Sequence, residues 1–81
     1  MNADLLHVSP LPDFVLSVEL ADGRRGTFDM KPHLSLPGLK ALRDPAYFAQ
    51  VRVLLGAATW PDGEDVSPST VAAELATYQA A

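Results

Sequence analysis

One segment constrains the fold more than any other. Phe14, Leu16, Val18 and Leu20 fall on one face of an alternating run, with Ser17 and Glu19 on the other. That period of two belongs to a half-buried β-strand. Ala21-Asp22-Gly23 then supplies a turn, and Arg24 to Met30 supply a returning arm. A two-residue loop at Asp22-Gly23 would set Leu20 against Arg25, Val18 against Thr27 and Leu16 against Asp29, mixing apolar and polar side chains on both faces. A three-residue loop from Ala21 to Gly23 sets Leu20 against Arg24, Val18 against Gly26, Leu16 against Phe28 and Phe14 against Met30. The second register keeps one apolar face, so burial should select it. Gly23 would then hold the left-handed position of a bulged loop.

Around this hairpin the chain offers short elements. Leu5 to Val8 predicts a short edge strand that ends in Ser9-Pro10-Leu11-Pro12. Leu39 to Arg43 predicts a helical turn, and Asp44-Pro45 an N-cap with proline at the first helical position, followed by a turn that points Phe48 and Tyr47 inward. Val51–Leu54 and Ala57–Trp60 predict a second strand pair around Gly56. Ser67-Pro68 repeats the cap signal before a helix from Ser69 to Ala80, with Val71, Leu75 and Tyr78 on one stripe. The expected class is α+β: a small antiparallel sheet of about five strands in the order β-β-β-α-β-β-α, with helices packed on one face. An 81-residue chain has room for one domain.

Composition narrows function. The formal net charge is −4. An acidic chain is repelled by phosphate backbones and anionic lipid, so nucleic-acid binding by this chain alone and membrane association are disfavoured. A basic protein partner suits it, because complementary charge steers association. The chain has no cysteine, which removes disulfides, thiolate metal sites and thiol nucleophiles and fits a reducing compartment. Residues 1–10 lack a basic, then apolar, leader pattern, so a cytoplasmic protein is expected. No serine sits in a G-x-S-x-G elbow, the glycines are dispersed, and His7 and His33 lack a partner at a catalytic spacing. No enzyme activity and no cofactor is expected.

Four features remain as candidates. Leu54 and Leu55 stand at a hairpin tip, where contiguous exposed apolar residues mark protein contacts; a turn displaced by a few residues would instead place both leucines in the core. Trp60 and Asp62, in the Trp60-Pro61-Asp62-Gly63 turn, are candidate partner-binding residues; for Trp60 the plainer expectation is the core or its rim, where a buried indole N–H would need a partner. Asp62, Glu64 and Asp65 offer oxygens to a hard cation, but without the ligand spacing of a calcium loop; a strand-ending turn is the plainer expectation. Arg24, Arg25 and Lys31 form a candidate basic patch for RNA, without the interleaved aromatics that stack bases; the plainer expectation is a solvated strand face. An exposed sheet edge with an apolar tip also offers a route to a homodimer.

A spaced set of motifs runs through the chain: the Ser9-Pro10 to Phe14 entry, Asp22-Gly23, Phe28-Asp29, Leu42-x-Asp44-Pro45-x-x-Phe48, Trp60-Pro61-Asp62-Gly63 and Asp65-x-x-Pro68. Taken in order, the set resembles the bacterial family called domain of unknown function 2442, over about His7 to Glu74. The resemblance implies a compact α+β domain. It also implies a gene lying beside that of another small protein, in pairs that look like toxin–antitoxin modules. On that basis the chain is expected to be a protein-interaction module, the antitoxin-like member of such a pair, with a small partner encoded next to it. The alternative is a small RNA- or DNA-associated regulatory domain. Some relatives carry an appended helix-turn-helix, and none is expected here. The family supplies no catalytic residues to carry over. Two stretches depart from its pattern: Leu54-Leu55-Gly56-Ala57 is unusually apolar, and Val71-Ala72-Ala73-Glu74 is less bulky.

Overall fold

A computed structural model describes residues 3–77. Three strands open it: β1 (Leu5–Leu11), β2 (Val15–Leu20) and β3 (Arg25–Asp29). Two 3₁₀ segments follow, Lys31–His33 and Pro37–Arg43, then α1 (Pro45–Phe48). Next come β4 (Arg52–Leu54), β5 (Ala57–Thr59), β6 (Asp65–Val66), α2 (Pro68–Glu74) and β7 (Ala76–Thr77). The strands form two antiparallel sheets, ordered β1-β2-β3-β7 and β4-β5-β6. The class is α+β, but the single sheet of about five strands is replaced by two sheets, and the element order gains two short strands.

The β2–β3 hairpin adopts the register that burial favours. Val18 faces Gly26 and Leu16 faces Phe28. The ladder extends through Leu20 N–H to the Arg24 carbonyl (2.8 Å) and Met30 N–H to the Phe14 carbonyl (2.9 Å). Gly23 closes the loop at φ 97°. β1 runs further than Val8: it continues through Pro10, which lies opposite Leu16. A proline is tolerated there because β1 is an edge strand of its sheet and needs no donor on its open side. A bulge between Leu5 and His7 makes Leu6 an extra residue, so Leu5 is buried while Leu6 and His7 both face outward.

The two sheets share one core. Leu16, Val18, Leu20 and Phe28 from the first sheet meet Ala58 and Val66 from the second, with Met30, Leu42, Phe48, Trp60 and Val71 filling the space between the elements. The sheets are tied where Leu5 N–H donates to the Gly56 carbonyl at 2.8 Å. Asp44 caps α1 by accepting the Ala46 N–H at 3.0 Å, and Ser67 caps α2 by accepting the Thr70 N–H at 3.3 Å.

The last helix is shorter than its sequence predicts. α2 stops at Glu74, Leu75 turns extended (ψ 127°), and Ala76 and Thr77 pair with Thr27 and Gly26. The alanine-rich sequence favours helix locally, but the open edge of β3 offers backbone partners there. Tyr78, the third residue of the expected stripe, lies outside the described residues. No helix among the described residues is long and apolar enough to cross a membrane.

Candidate functional site

The tip of the β4–β5 hairpin is built from two residues. Leu54 pairs with Ala57, leaving Leu55 and Gly56 as the loop. Both have positive φ, 51° and 79°. That is the signature of a type I′ turn, whose twist matches the flanking strands and whose preferred occupants are Asn, Asp and Gly. Glycine is needed at position 56 for a second reason: a Cβ there would lie 2.5 Å from the Asp4 Cγ. Leucine has no such suitability at position 55, and the left-handed conformation costs an L-residue about 1–2 kcal/mol.

The tip holds its leucine out to solvent. Leu55 is 93% exposed and Leu54 is 47% exposed. Leu6, turned outward by the β1 bulge, is 51% exposed and follows the residue whose N–H holds the Gly56 carbonyl. This anchor ties the tip to the neighbouring sheet. Leu54 and Leu55 were legible in sequence as an apolar tip. Leu6 was not, because nothing in Leu5-Leu6-His7 announces which residue a bulge will expel.

Trp60 and Asp62 part company. Trp60 is fully buried, and its indole N–H donates to the Phe48 carbonyl at 2.9 Å, which places it in the core rather than on a contact surface. Its backbone closes the following turn through Trp60 N–H to the Glu64 carbonyl (2.9 Å) and Gly63 N–H to the Trp60 carbonyl (3.0 Å). Tyr47 locks this turn to α1. Its hydroxyl donates to the Glu64 carboxylate at 2.6 Å and accepts the Asp62 N–H at 2.7 Å. Desolvation, reinforced by the bond to Glu64, raises the Tyr47 pKa above its ordinary value. Asp62 is exposed, but Glu64 is turned toward Tyr47. Among the described residues, no three His, Asp or Glu side chains gather as a metal site.

The three basic residues lie on and just beyond β3, and carboxylates engage two of them. The Arg24 guanidinium meets Asp22 at 2.9 Å, and Asp22 also accepts the Arg24 backbone N–H. These bonds to Arg24 hold the Asp22 carboxyl below the usual carboxylate value. Lys31 Nζ lies 3.0 Å from Asp29 and 3.2 Å from Asp13. The Lys31 backbone N–H, then its ammonium, lower the Asp29 pKa, and the bond to Asp29 raises that of Lys31. Arg25, paired across the ladder with Glu19, is exposed. The patch is therefore largely offset by its own counter-ions.

Two arrangements had no sequence signal. His33 Nε2 lies 2.9 Å from Glu74 Oε1, and its ring stacks on buried Phe28 at 5.4 Å, so it clasps the end of α2 to the segment after β3. An apolar cleft also opens between the β1–β2 turn and α1, joining residues 10–14 with residues 45–49. Proline spacing marked both segments as turns, but not that they meet.

The family model described as "Protein of unknown function (DUF2442)" matches residues 5–76. No curated protein and no solved structure matches the chain. The family match runs from the first residue of β1 into β7 and so takes in both sheets and both α-helices. On that match, the chain belongs to the DUF2442 family of proteins of unknown function.

Proposed function

We propose that this chain is a protein-interaction module that uses the Leu54–Leu55 tip as its contact, as the antitoxin-like member of a two-gene pair. One observation carries the reading: Leu55 combines 93% exposure with a left-handed backbone. Within the monomer both properties are unfavourable, and Asn or Gly would remove both. Seating the side chain in an apolar socket would recover about 1.5–3 kcal/mol of burial. The bacterial two-gene setting rests on what the family resemblance implies.

The expected partner is a small protein encoded beside this one, with an apolar socket and a basic rim to meet a chain of net charge −4. The role needs no catalytic residue or cofactor. The cysteine-free sequence suits the bacterial cytoplasm. A regulatory domain acting on RNA or DNA would draw on Arg24, Arg25 and Lys31; the carboxylates at Arg24 and Lys31 favour the protein contact instead.

The test is co-expression of the tagged chain with the products of its flanking genes, followed by mass spectrometry of what co-purifies. A stoichiometric small partner is expected, and Leu54→Glu and Leu55→Glu should each release it while leaving the fold intact. Retention of the partner by both variants, or a chain that pairs only with itself through the tip, would overturn the reading.

A further inference from the structure

A second surface stands at the other end of β1. The strand leaves the tip anchor at Leu5 and reaches Leu11, about 20 Å away at ~3.3 Å per residue. The chain then turns through Pro12, Asp13 and Phe14, the last two with φ of 65° and 60°. A bulky residue in that region is a conformational outlier, and such strain gathers at ligand-contacting segments. The turn sets the Phe14 ring edge-on to Phe48 of α1, centroids 5.3 Å apart. Beside the two rings lies a cleft of about 280 Å³.

Much of its lining offers no hydrogen-bond donor. Pro10, Pro12 and Pro45 line it and have no N–H to offer. The N–H groups of Phe48 and Ala49 are spent on the Asp44 and Pro45 carbonyls, at 2.8 and 3.1 Å. Asp13 brings a carboxylate to the lip, and its side chain is 77% exposed. A cation already meets these acceptors from outside: Lys31 Nζ lies 3.0 Å from the Asp13 carbonyl and 3.2 Å from its carboxylate. The cleft is apolar within and rich in acceptors at the lip. Its volume falls just below the roughly 300–1,000 Å³ of small-molecule sites, a size for a side chain rather than a cofactor.

We propose that this cleft receives an apolar side chain flanked by Lys or Arg, in a basic segment of a partner protein. Charge complementarity selects this occupant: Lys31 is shared between the Asp13 and Asp29 carboxylates, which leaves the lip net negative, and the net charge of −4 likewise favours a cationic segment over an acidic or neutral one. The cleft is distant from the Leu55 tip and can hold if the tip contact fails.

The experiment titrates the ¹⁵N-labelled full chain with two blocked pentapeptides, acetyl-Gly-Arg-Leu-Arg-Gly-amide and acetyl-Gly-Glu-Leu-Glu-Gly-amide. The arginine peptide should shift the amides of Asp13, Phe14 and Ala49 saturably, and the glutamate peptide should not. Asp13→Asn should weaken binding about two- to fivefold, the size of an exposed ion pair. Ala49 is exposed at the helical end of α1, so Ala49→Leu should fill the cleft and abolish the shifts, with buried Trp60 reporting an intact fold by its fluorescence. Four results would overturn the proposal: no saturable shift, equal shifts from both peptides, shifts centred on Leu55, or binding undiminished in Ala49→Leu. So would cleft shifts that follow dilution of the protein alone, which would mark a second copy as the occupant.

Discussion

At the scale of the residue, Leu55 sets stability against contact. Leu55→Asn would place the preferred Asn-Gly pair in the type I′ turn. It should stabilise the isolated chain by about 1 kcal/mol, read as a raised urea midpoint with an unchanged slope. The same variant should bind the partner less well. A lowered midpoint would mean that Leu55 has stabilising contacts within the chain. The apolar tip was legible because Leu54, Leu55 and Gly56 are consecutive and the two-residue loop follows from the flanking strands. Its backbone strain was not, since a leucine gives no hint of positive φ. Trp60 shows the opposite limit. Its place in the core was legible at the end of the Ala57–Trp60 strand, but its neighbours, the chain of rings from Phe14 through Phe48, 5.9 Å from Trp60, were not.

At the scale of the element, length decided what could be read. β2 and β3 repeat with period two over enough residues that a one-place slip would bury Ser17 and Glu19, so register followed from burial. β6 and β7 have two residues each, too few for any period. β7 also overrules the helix preference of an alanine-rich segment, because pairing with β3 is a contact no local pattern contains. Gly26 makes that pairing possible. A Cβ on it would run into the backbone of Ala76 and lie 2.7 Å from the Thr77 Cα. Gly26→Ala should therefore detach β7 while leaving the β2–β3 hairpin formed. Hydrogen exchange would show lost protection at Thr27 and Ala76, the pair whose amides face each other across β3 and β7, and retained protection in β2. Protection that stays in place at both would show that the backbone yields at little expense.

At the scale of the whole molecule, charge sets the pH range of the fold. Asp22 at the tip of the β2–β3 hairpin and Asp29 at its foot both have lowered pKa values. Their stabilising effect is complete above the unfolded value of about 3.9 and is lost as pH falls through the lower folded values. Lys31 and Tyr47 are shifted upward, so their effect is present below about 10 and is lost as pH rises through the folded values. Thermal midpoints across pH 2–12 should form a plateau with an acid and an alkaline limb, and Asp22→Asn should shrink the acid limb. A steady decline between pH 8 and 5 would point to a different group. The pairing of Gly26 with Thr77 also bears on how the protein is made. On a ribosome the three-strand meander emerges early, but the strand that covers its open side emerges only after β4, β5, β6 and α2. Until then β3 presents unpaired backbone to any passing chain, and folding is most vulnerable to misassembly in the interval before β7 emerges.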